Sequence, residues 1–68
     1  MATRRGVLLS PTELAEYLNL PVKTIYTWRH TGHGPQGFRA GRHVRYREED
    51  VQRWIAEQTA KAAGDALG

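Results

Sequence analysis

The chain has 68 residues with a formal net charge of +3; 40% are hydrophobic, 25% are charged and none is cysteine. Such a length allows one small domain with a marginal core and leaves little room for a catalytic cavity of the usual size, roughly 300 Å³ or more. Without thiols, a disulfide framework, a thiolate nucleophile and a sulfur-ligated zinc are excluded; no apolar run approaches a membrane span or a signal peptide, so a cytoplasmic location is expected.

Residues 1–6 carry no periodicity and read as a loose arm ahead of a folded unit over residues 7–60. Ser10-Pro11-Thr12-Glu13 predicts a helix start: Ser10 accepts from the amide three residues on, Glu13 reaches back, and Pro11 stands where no amide is needed. Leu14, Ala15 and Leu18 make the inward stripe, with Glu13, Glu16 and Tyr17 toward water, and Asn19 suits the left-handed helix end. Pro21 is expected at the first position of a second helix, with Val22, Ile25 and Trp28 inward and Gly32 as the stop. Two short helices joined by Asn19 and Leu20 form a helix-turn-helix pattern.

His33 to Gly37 is turn material, and then the period changes. Phe38-Arg39-Ala40 and Val44-Arg45-Tyr46 alternate around Gly41-Arg42, a hairpin with glycine at its first central position. Alternation is expected to put Phe38, Ala40, Val44 and Tyr46 on one face and Arg39, Arg45 and Arg47 on the other. Glu48, Glu49 and Asp50 open a third helix at the positive end of its dipole, Val51, Trp54, Ile55 and Gln58 give it helical spacing, and Val51, Trp54 and Ile55 form its core stripe. After Ala60 the apolar stripe ends, and residues 61–68 are expected to fray.

The charge is unevenly placed. Residues 21–47 hold Lys23, Arg29, Arg39, Arg42, Arg45 and Arg47, all three histidines, and no acid. Surfaces normally mix signs because a single-sign field repels itself, so this window points to a polyanionic partner rather than to a plain solvated face. The polar face of the second helix, Lys23, Thr24, Tyr26, Thr27, Arg29 and His30, carries the cations and hydroxyls that reach base edges and phosphates in a major groove. An ordinary exposed helix face would also carry Glu in i, i+4 pairs with Lys, and this one has none. The hairpin adds Arg39, Arg42, His43 and Arg45, more cations than protection of a strand edge requires and suited to phosphates or a narrow minor groove.

Other chemistries are weaker. His30 and His33 have a metal-ligand spacing, but Gly32 breaks the helix between them and neither Cys nor carboxylate stands nearby, so no metal or other cofactor is expected. Ser10 is explained by capping, leaving no support for a nucleophilic triad. The three consecutive acids point in different directions on a helix, against a metal cluster. Trp28 and Trp54 have core spacing with Ile25 and Val51, although stacking on unpaired bases is the alternative. A binding module, not an enzyme, is expected.

The run Leu8-Leu9-Ser10-Pro11 to Leu18, Val22 to Trp28, Thr31-Gly32, Gly34-Pro35, Gly41 to Arg47, Asp50-Val51 and Trp54-Ile55 resembles the excisionase branch of the MerR-like winged helix-turn-helix proteins. The resemblance covers residues 8–56 and implies a mainly α fold of three helices plus a two-stranded wing. It implies double-stranded DNA as partner, with the second helix in the major groove and the wing along or in the adjacent minor groove. Pro21 departs from the pattern, since relatives commonly place Ser or Thr there, and Arg47 stands where a capping Ser is frequent.

Small stand-alone members of this kind resemble recombination directionality factors of phages and mobile elements. They bind adjacent sites, bend DNA and direct an integrase toward excision; others of the fold are small transcriptional regulators. The ligand-sensing relatives add a long dimerisation helix and an effector domain, and neither is expected here. Nothing in the chain reads as a dimer seam, so a monomer that self-associates head to tail on DNA is expected, with a wing against Glu13, Glu16, Glu48 or Glu49 of the next copy. A basic face docking an acidic protein is the reading from another class.

Overall fold

The computed structural model describes residues 7–67; the expected arm over residues 1–6 lies outside them. The elements run β1 (Leu8–Leu9), α1 (Pro11–Leu18), α2 (Val22–Thr31), β2 (Gly37–Ala40), β3 (His43–Arg47) and α3 (Glu48–Leu67). Three helices carry a small antiparallel sheet of order β1-β3-β2, a winged helix-turn-helix architecture.

Local chemistry sets the helix ends. The Glu13 amide donates to Ser10 Oγ at 3.1 Å and the Ser10 amide to Glu13 Oε1 at 2.8 Å, a complete capping box with Pro11 at the first helical position. Asn19 closes α1 in the left-handed region (φ 58°), its amide donating to the Ala15 and Glu16 carbonyls. Pro21 precedes α2 as its N-cap rather than opening it: its ψ of 142° is extended, and α2 starts at Val22. It supplies no side-chain cap, and its carbonyl accepts from the Thr24 amide at 3.0 Å. Gly32 stops α2 at φ 76° with its amide on the Trp28 carbonyl at 2.8 Å.

The sheet differs from expectation in two ways. A third strand, β1, pairs with β3 through Leu8↔Arg47 and Leu9↔Tyr46, and the Val7 carbonyl accepts from the Glu48 amide at 3.0 Å. The faces are also regrouped. The turn at Gly41-Arg42 pairs Ala40 with His43, so Arg39 opposes Val44, Phe38 opposes Arg45 and Gly37 opposes Tyr46. Directly paired residues share a face. Val44 and Tyr46 therefore lie with Gly37, Arg39 and Leu9, whereas Phe38 and Ala40 lie with Leu8, His43, Arg45 and Arg47. A two-residue turn joins even positions of β2 to odd positions of β3, which splits the apolar set assumed from alternation within each strand.

The first of these faces meets the helices. Leu14, Ile25 and Val51 are fully buried, Ala15 and Tyr46 nearly so, and Leu9, Leu18, Trp28, Val44 and Ile55 pack around them. Burying a side chain of this size stabilises by about 1.5–3 kcal/mol. Val22, expected inward, is 37% exposed, so the inward side of α2 rests on Ile25 and Trp28. α3 does not end near Ala60. It continues to Leu67, with residues 59–64 exposed, because Lys61, Ala62 and Ala63 are strong helix formers that need no packing to propagate a turn.

Candidate nucleic-acid interface

Four of the six residues proposed on α2 share one exposed stripe. Lys23, Tyr26, Thr27 and His30 follow the i, i+3, i+4, i+7 spacing, all exposed, with Tyr26 at 51%. Thr27 Oγ1 donates to the Lys23 carbonyl at 3.0 Å, which uses its proton and leaves its methyl and lone pairs for contacts outside the helix. Thr24 is half-buried at one flank. Arg29 leaves the opposite flank, one turn after the fully buried Ile25, and stands beside the sheet.

That placement brings Arg29 to Tyr46. The Tyr46 ring is 2% exposed, and burial raises its phenol above the usual range; the Arg29 charge and its hydrogen bond to the hydroxyl pull partly the other way. The pairing spans two elements, and no local motif announces it. Its signal in the sequence is the four-residue step from Ile25 to Arg29, which puts the arginine at the edge of the buried stripe.

The wing distributes its cations around the hairpin. Arg42 and Gly41 form the tip, with Gly41 at φ 69° and Arg42 in the ordinary negative-φ region, the φ pattern of a II′ turn. His43 and Arg45 are on the face that holds Phe38, and Arg39 is on the other. Arg39, Arg42 and His43 are exposed; Arg45 is half-buried, with Nη1 donating to the Val44 carbonyl at 2.7 Å. The expected single basic face is thus a hairpin basic at its tip and on both sides.

Between α2 and the wing lies an open cleft of about 340 Å³, reached by Trp28, Arg29, His33, Gln36 and Tyr46 and by the glycine-rich loop over residues 32–37. His33 Nδ1 is 2.8 Å from Thr31 Oγ1. The same Thr31 hydroxyl lies 3.2 Å from the Thr27 carbonyl one turn earlier. Trp28 and Trp54 pack on each other, with ring centroids 5.2 Å apart and planes tilted by 57°. This pairing fits the core role expected for both and fixes α2 against α3.

Among the described residues, no cluster of three or more His, Asp or Glu side chains could hold a metal ion, and no helix is long and apolar enough to cross a membrane. No curated protein and no solved structure matches the chain. A family profile described as a helix-turn-helix domain matches residues 8–59, from β1 into the second half of α3. With the helix pair, the wing and this match over most of its length, the chain belongs to the helix-turn-helix domain family and binds DNA.

Proposed function

We propose that the protein binds double-stranded DNA sequence-specifically and serves as an excisionase, occupying adjacent sites, bending the DNA and directing an integrase toward excision of a phage or mobile element. The observation that carries the DNA-contact part is the exposed α2 stripe Lys23, Tyr26, Thr27 and His30, which with the wing cations Arg39, Arg42, His43 and Arg45 falls in a stretch, residues 21–47, that holds no acid. A helix about 10–12 Å across fits the major groove, and a narrow hairpin with arginines at its tip and on both sides fits between phosphate ridges. Thr24 and Arg29 flank that contact. The excision role rests on the resemblance to recombination directionality factors.

On this reading the chain meets its neighbours on DNA. Glu16 and Glu49 are exposed and free to face a neighbouring wing, whereas the Glu13 carboxylate is engaged at the Ser10 amide and Glu48 is half-buried. A contact between different surfaces need not close, so it extends along the DNA and accumulates bend. Each exposed ion pair contributes at most about 1 kcal/mol, which makes the cooperativity modest and salt-sensitive.

The test is a footprint on the DNA around the gene, followed by gel shifts on one, two and three adjacent sites and an excision assay with the neighbouring integrase. Cooperative filling of repeats at an attachment site, with stimulated excision, is the expected result. A single site over a promoter and no effect on excision would instead assign a transcriptional regulator. Neutralising roughly four to six phosphates should give a slope of log affinity against log salt near −4 to −5, and a slope shallower than about −2 would remove the basic surface as the contact.

A further inference from the structure

The cleft between α2 and the wing has a floor of two aromatic rings and a guanidinium at its edge. The Tyr46 ring cannot swing away, being 2% exposed and seated over Gly37, where even a methyl group would come within 2.7 Å of it. Its hydroxyl is therefore a fixed point on the sheet. Arg29 reaches that point from α2, and a guanidinium carries five donors in a planar fork. The contact to one phenol oxygen leaves the remaining donors for a second acceptor.

The chemistry of the partner matters. A carboxylate at this position would also orient Arg29, but it would cancel the charge. A phenol is neutral through the physiological range, so Tyr46 holds the guanidinium and leaves its positive charge available. The natural second acceptor is an anion with oxygens spaced for a planar fork. If α2 lies in the major groove and the wing in the adjacent minor groove, the DNA strand dividing those grooves must cross the mouth of this cleft.

We propose that Tyr46 is a positioning residue for Arg29, and that the cleft they share between α2 and the wing seats one phosphate of the DNA backbone. This assignment rests on the reading that α2 and the wing face DNA. It assigns Arg29 to the backbone rather than to base edges, and it brings His33 and Gln36 to the rim of the same seat. The contribution of Arg29 is then blind to base sequence.

Fluorescence anisotropy with the full chain tests this on two 24-bp duplexes, one carrying the footprinted site and one scrambled, across a salt series. Arg29→Ala should weaken binding roughly ten- to hundredfold on both duplexes and flatten the salt slope by about one. Tyr46→Phe keeps the ring over Gly37 and should weaken binding about two- to tenfold in the wild-type background and not at all in the Arg29→Ala background. Melting curves confirm that the variants fold. An equal loss from Tyr46→Phe in both backgrounds would make Tyr46 merely structural and overturn its positioning role. A loss from Arg29→Ala confined to the footprinted duplex, with the slope unchanged, would assign a base contact and overturn the seat. Lys23→Ala and Arg42→Ala separate the two levels: if they also leave affinity unchanged, the DNA-facing reading itself fails, whereas their loss beside inert Arg29 and Tyr46 variants rejects the seat alone.

Discussion

Gly34 stands where the loop after α2 passes beneath Trp28, and replacing it with alanine should be the most damaging single-methyl change in the chain. Its φ of 82° is left-handed, which costs an L-residue roughly 1–2 kcal/mol. The added Cβ would also lie 2.8 Å from Trp28 Cδ2 and closer still to Cε3. Because Trp28 is pinned against Trp54, the indole cannot yield without separating α2 from α3, and overpacking of this kind costs about 1–3 kcal/mol. Together that is about 2–5 kcal/mol, against a total stability of about 3–10 kcal/mol for a domain this small. At 4–8 °C per kcal/mol the melting temperature should fall by roughly 10 °C or more. Gly41→Ala is the control: its φ of 69° is similarly left-handed, but nothing lies within 4 Å of the added methyl, so only the backbone cost of about 1–2 kcal/mol remains. Thermal unfolding followed by circular dichroism and tryptophan fluorescence compares the two. If Gly34→Ala melts within a few degrees of Gly41→Ala, the loop does not seat Trp28 as described.

Ser10→Ala removes half of the capping box and should cost about 1 kcal/mol, a fall of roughly 4–8 °C in melting temperature, with DNA affinity at low temperature unchanged. Tyr46 carries a pH dependence of definite sign. Its folded phenol holds the proton more tightly than the unfolded one, so the stability it contributes is fully present below the ordinary tyrosine value of 10.0 and is lost as pH rises through the higher folded value. Chemical denaturation between pH 9 and 11 should show this loss in the wild type and a shallower one in Tyr46→Phe; identical curves would place the Tyr46 hydroxyl in water.

Much of the architecture could be read because it is decided within a few residues. Ser10-Pro11-Thr12-Glu13, Asn19 and Gly32 mark helix ends through hydrogen bonds that span at most five positions, and the observed caps are those bonds. The faces of the wing differ from those that alternation predicts because the length of the Gly41-Arg42 turn, not the apolar character of Phe38, decides which residues of β2 share a side with Val44 and Tyr46. β1 has no signature in the sequence because two residues, Leu8 and Leu9, cannot show an alternation, and the strand exists only through its pairing with Tyr46 and Arg47. α3 runs to Leu67, past the loss of its apolar stripe, because the helix propensity of Lys61, Ala62 and Ala63 acts without packing. On α2, charge and periodicity define the exposed stripe from Lys23 to His30. The meeting of Arg29 with Tyr46 depends on how α2 lies against the sheet, which no local pattern encodes.

The small core also predicts how stability and DNA binding are coupled. The largest fully buried side chains among the described residues are Leu14, Ile25 and Val51, so the folded state has little in reserve. The acid-free window of residues 21–47 adds to this, because its cations on α2 and the wing repel one another when no polyanion neutralises them. Phosphates remove that repulsion, and an unfolded chain cannot present helix and wing together. DNA should therefore stabilise the fold by mass action: a duplex at a hundred times its dissociation constant contributes about 2.7 kcal/mol, a rise of roughly 10–20 °C in melting temperature. Raising salt in the absence of DNA should give a smaller gain by screening the same repulsion, while shrinking the gain from DNA. Differential scanning calorimetry with and without duplex at two salt concentrations measures both effects. A DNA-induced rise that is absent, or that does not diminish with salt, would mean that the phosphates do not neutralise the α2–wing surface.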